Sequence, residues 1–320
     1  MATHDTPAGV ALGGPPPEPP GAEPIKAVPL RRPGRWASTA ICLVLGAMLV
    51  NTLLTNDRFE WGTVGTYLMA TPILEGILVT LQLTVISMLL GIVLGIVFAV
   101  MRLSANPVAR TVAWLYIGFF RGTPVLVQLI FWFNLSALFP ELSIGIPFGP
   151  EFLFLDVNVL ITPFVAAVLG LGLNEGAYMA EIVRSGIASI DEGQSMASSA
   201  LGLSRMQTMR RIVLPQAMRV IIPPTGNETI GMLKTTSIVS VISLAELTYS
   251  AQVIYTSTYE TIPLLIVISL WYLAFTTLLT IVQYFIEKHF SRGSSRSQPT
   301  PFLDRLRTNL FHSRPARRQS

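Results

Sequence analysis

The sequence predicts an all-α integral membrane protein of about six transmembrane helices, and it excludes a soluble globular domain. Of the 320 residues, 51% are hydrophobic and only 12% are charged, whereas about 25% of the residues of a typical soluble domain are charged. The charges are concentrated in the tails and between long apolar runs. Such runs favour spanning helices, because lipid cannot satisfy exposed backbone groups.

The first span is preceded by residues 1–35, whose Pro, Gly and Ala content predicts a disordered cytoplasmic tail. The apolar run 36–54 is long enough to cross a bilayer, and no small-residue cleavage site follows it closely. We therefore expect a retained N-terminal transmembrane helix. At the other end, the basic segment 291–320 predicts a second disordered cytoplasmic tail.

Five further spans are expected in the core of the chain, at about 73–101, 111–138, 159–183, 225–244 and 261–286. Gly91 and Gly95 form a GxxxG pair in the second span, which permits close helix approach. In the fourth span, Asn174, Glu175 and Gly176 are expected to break the helix. Irregular backbone at membrane depth is tolerated where it is buried in protein or lines a cavity.

The orientation follows from the Lys and Arg residues between the spans. Segments 139–158 and 245–260 contain none, whereas segment 184–219 contains five. Basic loops remain on the cytoplasmic side. The alternation predicts that both termini and segment 184–219 are cytoplasmic in a multi-pass protein of the bacterial cell membrane.

The cytoplasmic segment 189–215 is predicted to form two short helices joined at a glycine. Asp191 with Gln194 three residues later gives an N-cap signature, and Gly202 is the expected left-handed terminator. A capping box and a terminal proline are expected to delimit the second helix: Ser204, Gln207 and Pro215.

This segment also carries apolar side chains at helical spacing outside the membrane: Met196, Ala197, Ala200, Leu201 and Leu203. An exposed apolar stripe on a short helix needs a groove in a partner. A helix lying on the lipid surface is the alternative that the residues alone leave open.

The sequence resembles a known family at these residues. Gly-Gln-x-x-Ala-x-x-Ala-Leu-Gly-Leu-Ser at 193–204, with Arg-Arg-Ile-Val-Leu-Pro at 210–215, is similar to the EAA motif of ABC importer permeases. Four more stretches resemble the polar amino-acid branch, which includes histidine, glutamine and glutamate permeases: Gly-Ile-Leu-Val-Thr-Leu-Gln-Leu-Thr at 76–84, Phe-Arg-Gly-Thr-Pro at 120–124, Ala-Glu-Ile-Val-Arg-Ser-Gly-Ile at 180–187, and Leu-Lys-Thr-Thr-Ser-Ile-Val-Ser-Val-Ile at 233–242. The resemblance covers about 72–290, so the first helix and the tails are additions to a five-helix permease domain.

The resemblance implies that segment 189–215 couples the permease to an ATPase. The residues implied in this contact are Asp191, Gln194, Met196, Ala197, Ala200, Leu201, Gly202, Leu203, Leu214 and Pro215. The sequence departs from the motif because Met196 replaces its leading Glu and Ser198 its second Ala. A contact through that carboxylate is therefore absent or supplied by a neighbour such as Glu192.

The function implied is that of a permease subunit of an ATP-driven importer for a polar amino acid, working by alternating access. The chain contains no GxxxxGK[ST] stretch, so ATP and Mg are expected on a cytoplasmic ABC ATPase and no cofactor on this chain. A second permease subunit and an extracytoplasmic amino-acid-binding protein are the other implied partners. Polar residues of the spans are candidates for the substrate path: Thr80, Asn174, Glu175, Asn227, Lys234 and Thr236.

Other classes of protein fit the sequence less well. A secondary, ion-coupled transporter would show internal repeats, and no clear repeat is found. The only cysteine, Cys42, and the three histidines make a metal cluster or an enzyme site improbable. The basic residues behind the net charge of +4 are spread over several loops, which disfavours nucleic-acid binding. Arginine- or lysine-type, glutamate- or glutamine-type and cystine-type substrates all remain open.

Overall fold

The computed structural model describes residues 33–146 and 149–290 and is predominantly helical. The described part of the chain contains these elements: α1 Pro33–Thr55, α2 Trp61–Leu68, α3 Thr71–Leu103, α4 Pro107–Gly122, α5 Val125–Phe133, β1 Glu141–Gly145, β2 Glu151–Asp156, α6 Val157–Leu160, α7 Pro163–Ala188, α8 Glu192–Ala200, α9 Arg205–Thr208, α10 Leu214–Thr235, α11 Leu247–Thr258 and α12 Thr261–Phe290. A π-helical turn spans Met209–Val213, and 3-10 turns span Asp57–Phe59, Leu135–Ala137 and Thr236–Ile242. The predicted helical membrane fold is confirmed, although the antiparallel β1–β2 hairpin and α11 were not predicted.

Helix α1 corresponds to the predicted N-terminal span. Its apolar side chains are exposed around the helix; Leu43 and Leu49, for example, are 69% and 61% exposed. Apolar side chains around a helix of this length are expected of a membrane-spanning segment. The two predicted tails lie almost entirely outside the described residues.

The number of spans depends on how bent helices are counted. Within residues 33–146 and 149–290, α3, α12 and residues 36–55 of α1 are long and apolar enough to cross a membrane. Two bent helix pairs, α4 with α5 and residues 205–242 with α11, raise the number to as many as five. Helix α7, the fourth predicted span, is 26 residues long but is not among them. The count of six stays a prediction.

The third predicted span, 111–138, is not one continuous helix. Helices α4 and α5 meet at an angle of 101°. Thr123, between them, has extended backbone angles (φ −113°, ψ 143°), and Pro124 follows it. The proline ring disfavours helical angles at the preceding residue, so the helix ends there and restarts in a new direction.

The predicted break at Asn174, Glu175 and Gly176 is wrong, because α7 is continuous through these residues. The glycines of this region serve close packing instead. A Cβ on Gly91 or Gly95 of α3 would lie 2.6 Å from Glu175 Cγ or 2.4 Å from Met179 Cβ. The close approach predicted from the GxxxG pair is thus confirmed, with α7 as the neighbouring helix.

Two predictions about prolines are also wrong. Pro215 does not end the second helix of segment 189–215, and the fifth span does not begin after Pro224. Pro215 lies in the first turn of α10, where a proline is tolerated because its missing N–H has no intrahelical partner. Pro223 and Pro224 lie inside α10. The chain therefore runs as one helical arm from Arg205, through the π turn, to Ile242.

Three hydrophobic cores lie along α3, and the one at its end joins Ala99 to Met179 of α7 and Ile221 of α10. The second, which we call the α7 core, joins the middle of α3 to α5, α7 and the end of the arm through Leu83, Leu129, Leu171, Met232 and Ile242. The third, which we call the α12 core, joins the beginning of α3 to α2, α11 and α12 through Val64, Ile73, Leu247, Leu264 and Val267. Chain residues 243–246 connect the α7 core to the α12 core.

Candidate functional site

Helix α8 begins as its sequence predicts. Asp191 is the N-cap, and its Oδ1 accepts a hydrogen bond of 2.6 Å from the Gly193 N–H. The Gln194 N–H donates to the Asp191 carbonyl oxygen at 3.0 Å. These bonds satisfy N–H groups that have no partner within the first turn of a helix.

Gly202 ends α8 in the left-handed conformation, with φ +78°. The Leu203 N–H donates to the Ser198 carbonyl oxygen at 3.1 Å, and the Gly202 N–H donates to that of Ser199 at 3.0 Å. This pair of bonds is a Schellman motif. A Cβ on Gly202 would meet no atom of the described chain within 4 Å. The backbone angle alone therefore favours glycine here.

Helix α9 begins with the predicted capping box. The Gln207 N–H donates to Ser204 Oγ at 3.3 Å, and the Ser204 N–H donates to Gln207 Oε1 at 2.8 Å. With both helices capped, the turn at Gly202 holds them in a defined relation.

The predicted apolar stripe of segment 189–215 is exposed. Met196 and Leu201 are 68% and 80% exposed, and Met206 of α9 is 74% exposed. Ala197, Ala200, Leu214 and Pro215 are also exposed, whereas Leu203 is half-buried. Residues 33–146 and 149–290 do not cover these side chains, which leaves them available to a partner.

A cavity of about 340 Å³ lies between α5, α7 and α10. Its wall includes two carboxylates, an amide, a phenol and a hydroxyl, from Glu175, Glu228, Asn174, Tyr178 and Thr235. Among the described residues, the wall contains no Lys or Arg side chain. The two carboxylates make this wall acidic, and the Arg121 guanidinium beside the cavity interacts with Glu228.

Glu175 is the most buried of these groups, at 6% exposure. Its Oε1 is fully buried and has no hydrogen-bond partner among the described residues. A buried polar atom without a partner is costly, so such an atom beside a cavity indicates a ligand.

The neighbouring Asn174 fixes the bend between α4 and α5. Its Nδ2 donates to the Phe120 carbonyl oxygen at 2.8 Å and to Gln128 Oε1 at 3.4 Å. Gln128 Nε2 in turn donates to Thr123 Oγ1 at 2.7 Å. Just outside the cavity, the Arg121 guanidinium lies 5.1 Å from the centre of the Tyr178 ring.

Of the predicted path residues, the structure places two at this cavity, Asn174 and Glu175. Thr80 and Thr236 are buried away from this cavity. Asn227 is exposed and accepts a hydrogen bond from Gln283 Nε2 at 3.1 Å, and Lys234 is exposed near the end of α10. The site prediction left out Glu228, although a carboxylate in an apolar span is a usable signal.

Other kinds of site are not found in the described part of the chain. Residues 33–146 and 149–290 contain no group of three or more His, Cys, Asp or Glu residues that could hold a metal ion. The one salt bridge found there joins Arg184 to Glu181 within α7.

Comparison with known proteins identifies the class. The model of the family "binding-protein-dependent transport system inner membrane component" matches residues 91–292. The chain belongs to this family, whose members are membrane-embedded permease subunits and are not themselves catalytic. The resemblance found in the sequence motifs is thus confirmed.

Individual relatives extend this result. The chain is 50% identical over 277 residues to the arginine transport system permease protein ArgU of Corynebacterium glutamicum, covering 86% of each chain. It is 37% identical over 225 residues to the L-cystine transport system permease protein TcyB of Bacillus subtilis, covering 69% of this chain and 88% of TcyB. A solved structure described as an amino acid ABC transporter with histidines matches with a TM-score of 0.59 and 35% identity, covering 68% of this chain and 94% of that one. These similarities give the secondary-transporter alternative no support.

Proposed function

We propose that this permease subunit imports a cationic amino acid of the arginine type. The observation that carries the proposal is the cavity between α5, α7 and α10, whose wall has two carboxylates and no cationic side chain among the described residues. A guanidinium presents five N–H donors and pairs well with carboxylates. The relative that is 50% identical is named for arginine transport, which supports the same substrate.

The substrate assignment is tested with radiolabelled arginine in proteoliposomes that contain the whole transporter. We expect Glu175→Gln and Glu228→Gln each to lower arginine uptake about tenfold or more, since a hydrogen bond to a charged group contributes about 1.5–3 kcal/mol. The control is Glu75→Gln, because Glu75 is an exposed carboxylate on α3. Unchanged uptake in both cavity variants, or equal competition by glutamate, would refute the cationic substrate.

The energy source in this proposal is a separate cytoplasmic ABC ATPase that binds segment 189–215. The exposed stripe of Met196, Leu201 and Met206 supports this contact, because apolar side chains on a short helix outside the bilayer need a complementary groove. The helical arm from Arg205 to Ile242 then leads from this segment into the α7 core. Closure of the ATPase would move this arm, so that the cavity opens to one side of the membrane and then to the other.

Two further partners belong to the proposal. An extracytoplasmic amino-acid-binding protein is supported by the description of the family as binding-protein-dependent. A second permease subunit, identical or homologous, completes the membrane part. The division of the chain into domains is also a proposal. It comprises a permease domain at 72–290, an additional helix at 36–54 and the two tails.

The orientation places both termini and segment 184–219 in the cytoplasm. It is supported by the alternating Lys and Arg counts along the chain. In a Cys42→Ser background, an impermeant thiol reagent added outside intact cells should label Phe152→Cys in β2. It should not label Ser195→Cys in α8. The reverse pattern would overturn the orientation and the proposed ATPase contact with it.

A further inference from the structure

A second buried carboxylate lies at the beginning of α11, away from the cavity. Glu246 has no exposed surface and is the N-cap of this helix. Its carboxylate accepts hydrogen bonds from the N–H groups of Thr248 (2.9 Å) and Tyr249 (2.8 Å). Two hydroxyls from other helices also donate to it: Tyr272 Oη of α12 at 3.2 Å and Thr80 Oγ1 of α3 at 3.5 Å. One carboxylate therefore joins three helices.

The position of this charge is unusual. Thr80 is the tenth residue of α3, which places it about 14 Å along the helix axis from Thr71 at about 1.5 Å per residue. Within residues 33–146 and 149–290, no salt bridge involves Glu246. A carboxyl group buried inside a membrane domain without a cationic partner is costly, so such residues commonly serve a function.

Glu246 also lies at the junction of the α7 core and the α12 core. Ile242, the last residue of the helical arm, belongs to the α7 core, and Leu247 belongs to the α12 core. Between them, Ser243 has a left-handed backbone with φ 58°, and the arm and α11 meet at 47°. Because this junction is not a continuous helix, side-chain contacts at it can couple the arm to α11, in addition to the contact between Asn227 of the arm and Gln283 of α12.

The contacts on the far side of the junction are tight. Thr80 Oγ1 accepts from the Leu247 N–H at 3.1 Å while it donates to Glu246. A Cβ on Gly76 would lie 2.9 Å from Leu247 Cα, so α3 and α11 touch backbone to backbone. Tyr272 Oη lies 3.2 Å from Thr248 Oγ1 and 3.2 Å from Glu246 Oε2. A displacement of Glu246 therefore acts on α3, α11 and α12 at once.

We propose that Glu246 is a positioning residue for transport, which fastens the far end of the helical arm to α3 and α12. Movement that begins at segment 189–215 then reaches the α12 core through the Glu246 carboxylate. This inference rests on the proposed function, in which the arm is driven by an ATPase. It identifies Glu246 as the residue that makes the α12 core move with the helical arm.

The test uses the variant Glu246→Asp. Aspartate is a good N-cap, so the cap on α11 is retained. Its side chain is one methylene shorter, which withdraws the carboxylate from Tyr272 and Thr80. In proteoliposomes with the ATPase and binding protein, we expect ATP hydrolysis to continue while arginine imported per ATP falls about tenfold, equivalent to about 1.4 kcal/mol. Tyr272→Phe, which removes one donor and keeps the ring, should lower the same ratio by a smaller factor.

The matched control is Glu60→Asp, the same substitution at the exposed N-cap of α2, which makes no side-chain capping bond. It should import as the wild type does. A wild-type ratio in both Glu246→Asp and Tyr272→Phe would overturn the proposal, even if their melting temperatures fall, because Glu246 would then be only a helix cap. Wild-type protein that imports no arginine with ATP would overturn the proposed function as well. That failure is distinguishable, since it appears without any substitution.

Discussion

The α3–α7 interface and segment 189–215 both depend on glycine, but for different physical reasons. In the interface, a Cβ on Gly95 would lie 2.4 Å from Met179 Cβ. In the segment, a Cβ on Gly202 would meet open space, and the requirement comes from the left-handed φ of +78°. The first glycine makes room for a neighbour that is already present, and the second shapes a turn that the chain leaves uncovered.

One methionine from each region shows the same contrast between the α3–α7 interface and segment 189–215. Met179 is 2% exposed within the described chain, whereas Met196 is 68% exposed. The interface is thus completed by the chain's own residues, while the described part of the chain leaves the apolar stripe of segment 189–215 uncovered. Substitutions in the interface should therefore damage folding, and substitutions in the segment should damage assembly.

The largest effect is expected from Gly95→Val. The added side chain overlaps α7, and overpacking of this severity costs about 3 kcal/mol or more. We expect little monodisperse protein after detergent extraction and a lower melting temperature. Gly118→Val in α4 is the control, because a Cβ there meets no atom within 4 Å. Equal stability of the two variants would show that the α3–α7 contact is not tight.

Gly202→Asp should have the next largest effect. We expect it to impair the assembly of the permease with its ATPase. The left-handed angle costs a side chain about 1 kcal/mol, which the fold tolerates. The charge, however, would be placed beside the apolar stripe at the proposed ATPase contact. We expect normal amounts of permease in the membrane and loss of the co-purifying ATPase or of transport. Gly202→Asn is the control, because asparagine accepts the left-handed conformation without a charge. Normal transport by Gly202→Asp with its ATPase bound would remove the main physical support for coupling through this segment.

The helix caps of segment 189–215, which depend on near neighbours in sequence, were predicted correctly. Asp191, Ser204 and Gln207 bond to groups at most three residues away, so their side-chain types were sufficient. The break predicted in α7 failed because the role of Gly176 depends on a distant residue: a Cβ there would lie 2.6 Å from Tyr116 Oη of α4. Nothing local in the sequence indicates that α4 passes at that point.

Glu246 was overlooked for a related reason. Residues 245–260 contain no Lys or Arg, so the sequence predicted that they form an extracytoplasmic loop. The structure instead buries Glu246 between α3 and α12, through partners that lie 166 and 26 residues away in sequence. The convergence of such partners is a property of the fold and leaves no short pattern in the chain.

The smallest effect is expected from Lys234→Met. Lys234 is exposed on the helical arm, and no salt bridge in the described part of the chain involves it. Replacing an exposed side chain of this kind usually changes stability by no more than about 0.5 kcal/mol. We expect arginine uptake to fall modestly while the ATPase remains bound, and Lys234→Arg should restore it. Wild-type uptake by Lys234→Met would show that this lysine is dispensable.

The contact between segment 189–215 and an ATPase is tested most directly by site-specific cross-linking in a Cys42→Ser background. Leu201→Cys and Met196→Cys place thiols on the exposed stripe, and Glu60→Cys places one on an exposed residue before α2. We predict that a short bifunctional thiol–amine reagent joins the co-expressed ATPase to positions 201 and 196 but not to position 60. Transport-competent Leu201→Cys and Met196→Cys proteins that form no cross-link to the ATPase, or a cross-link at position 60 instead, would contradict the account.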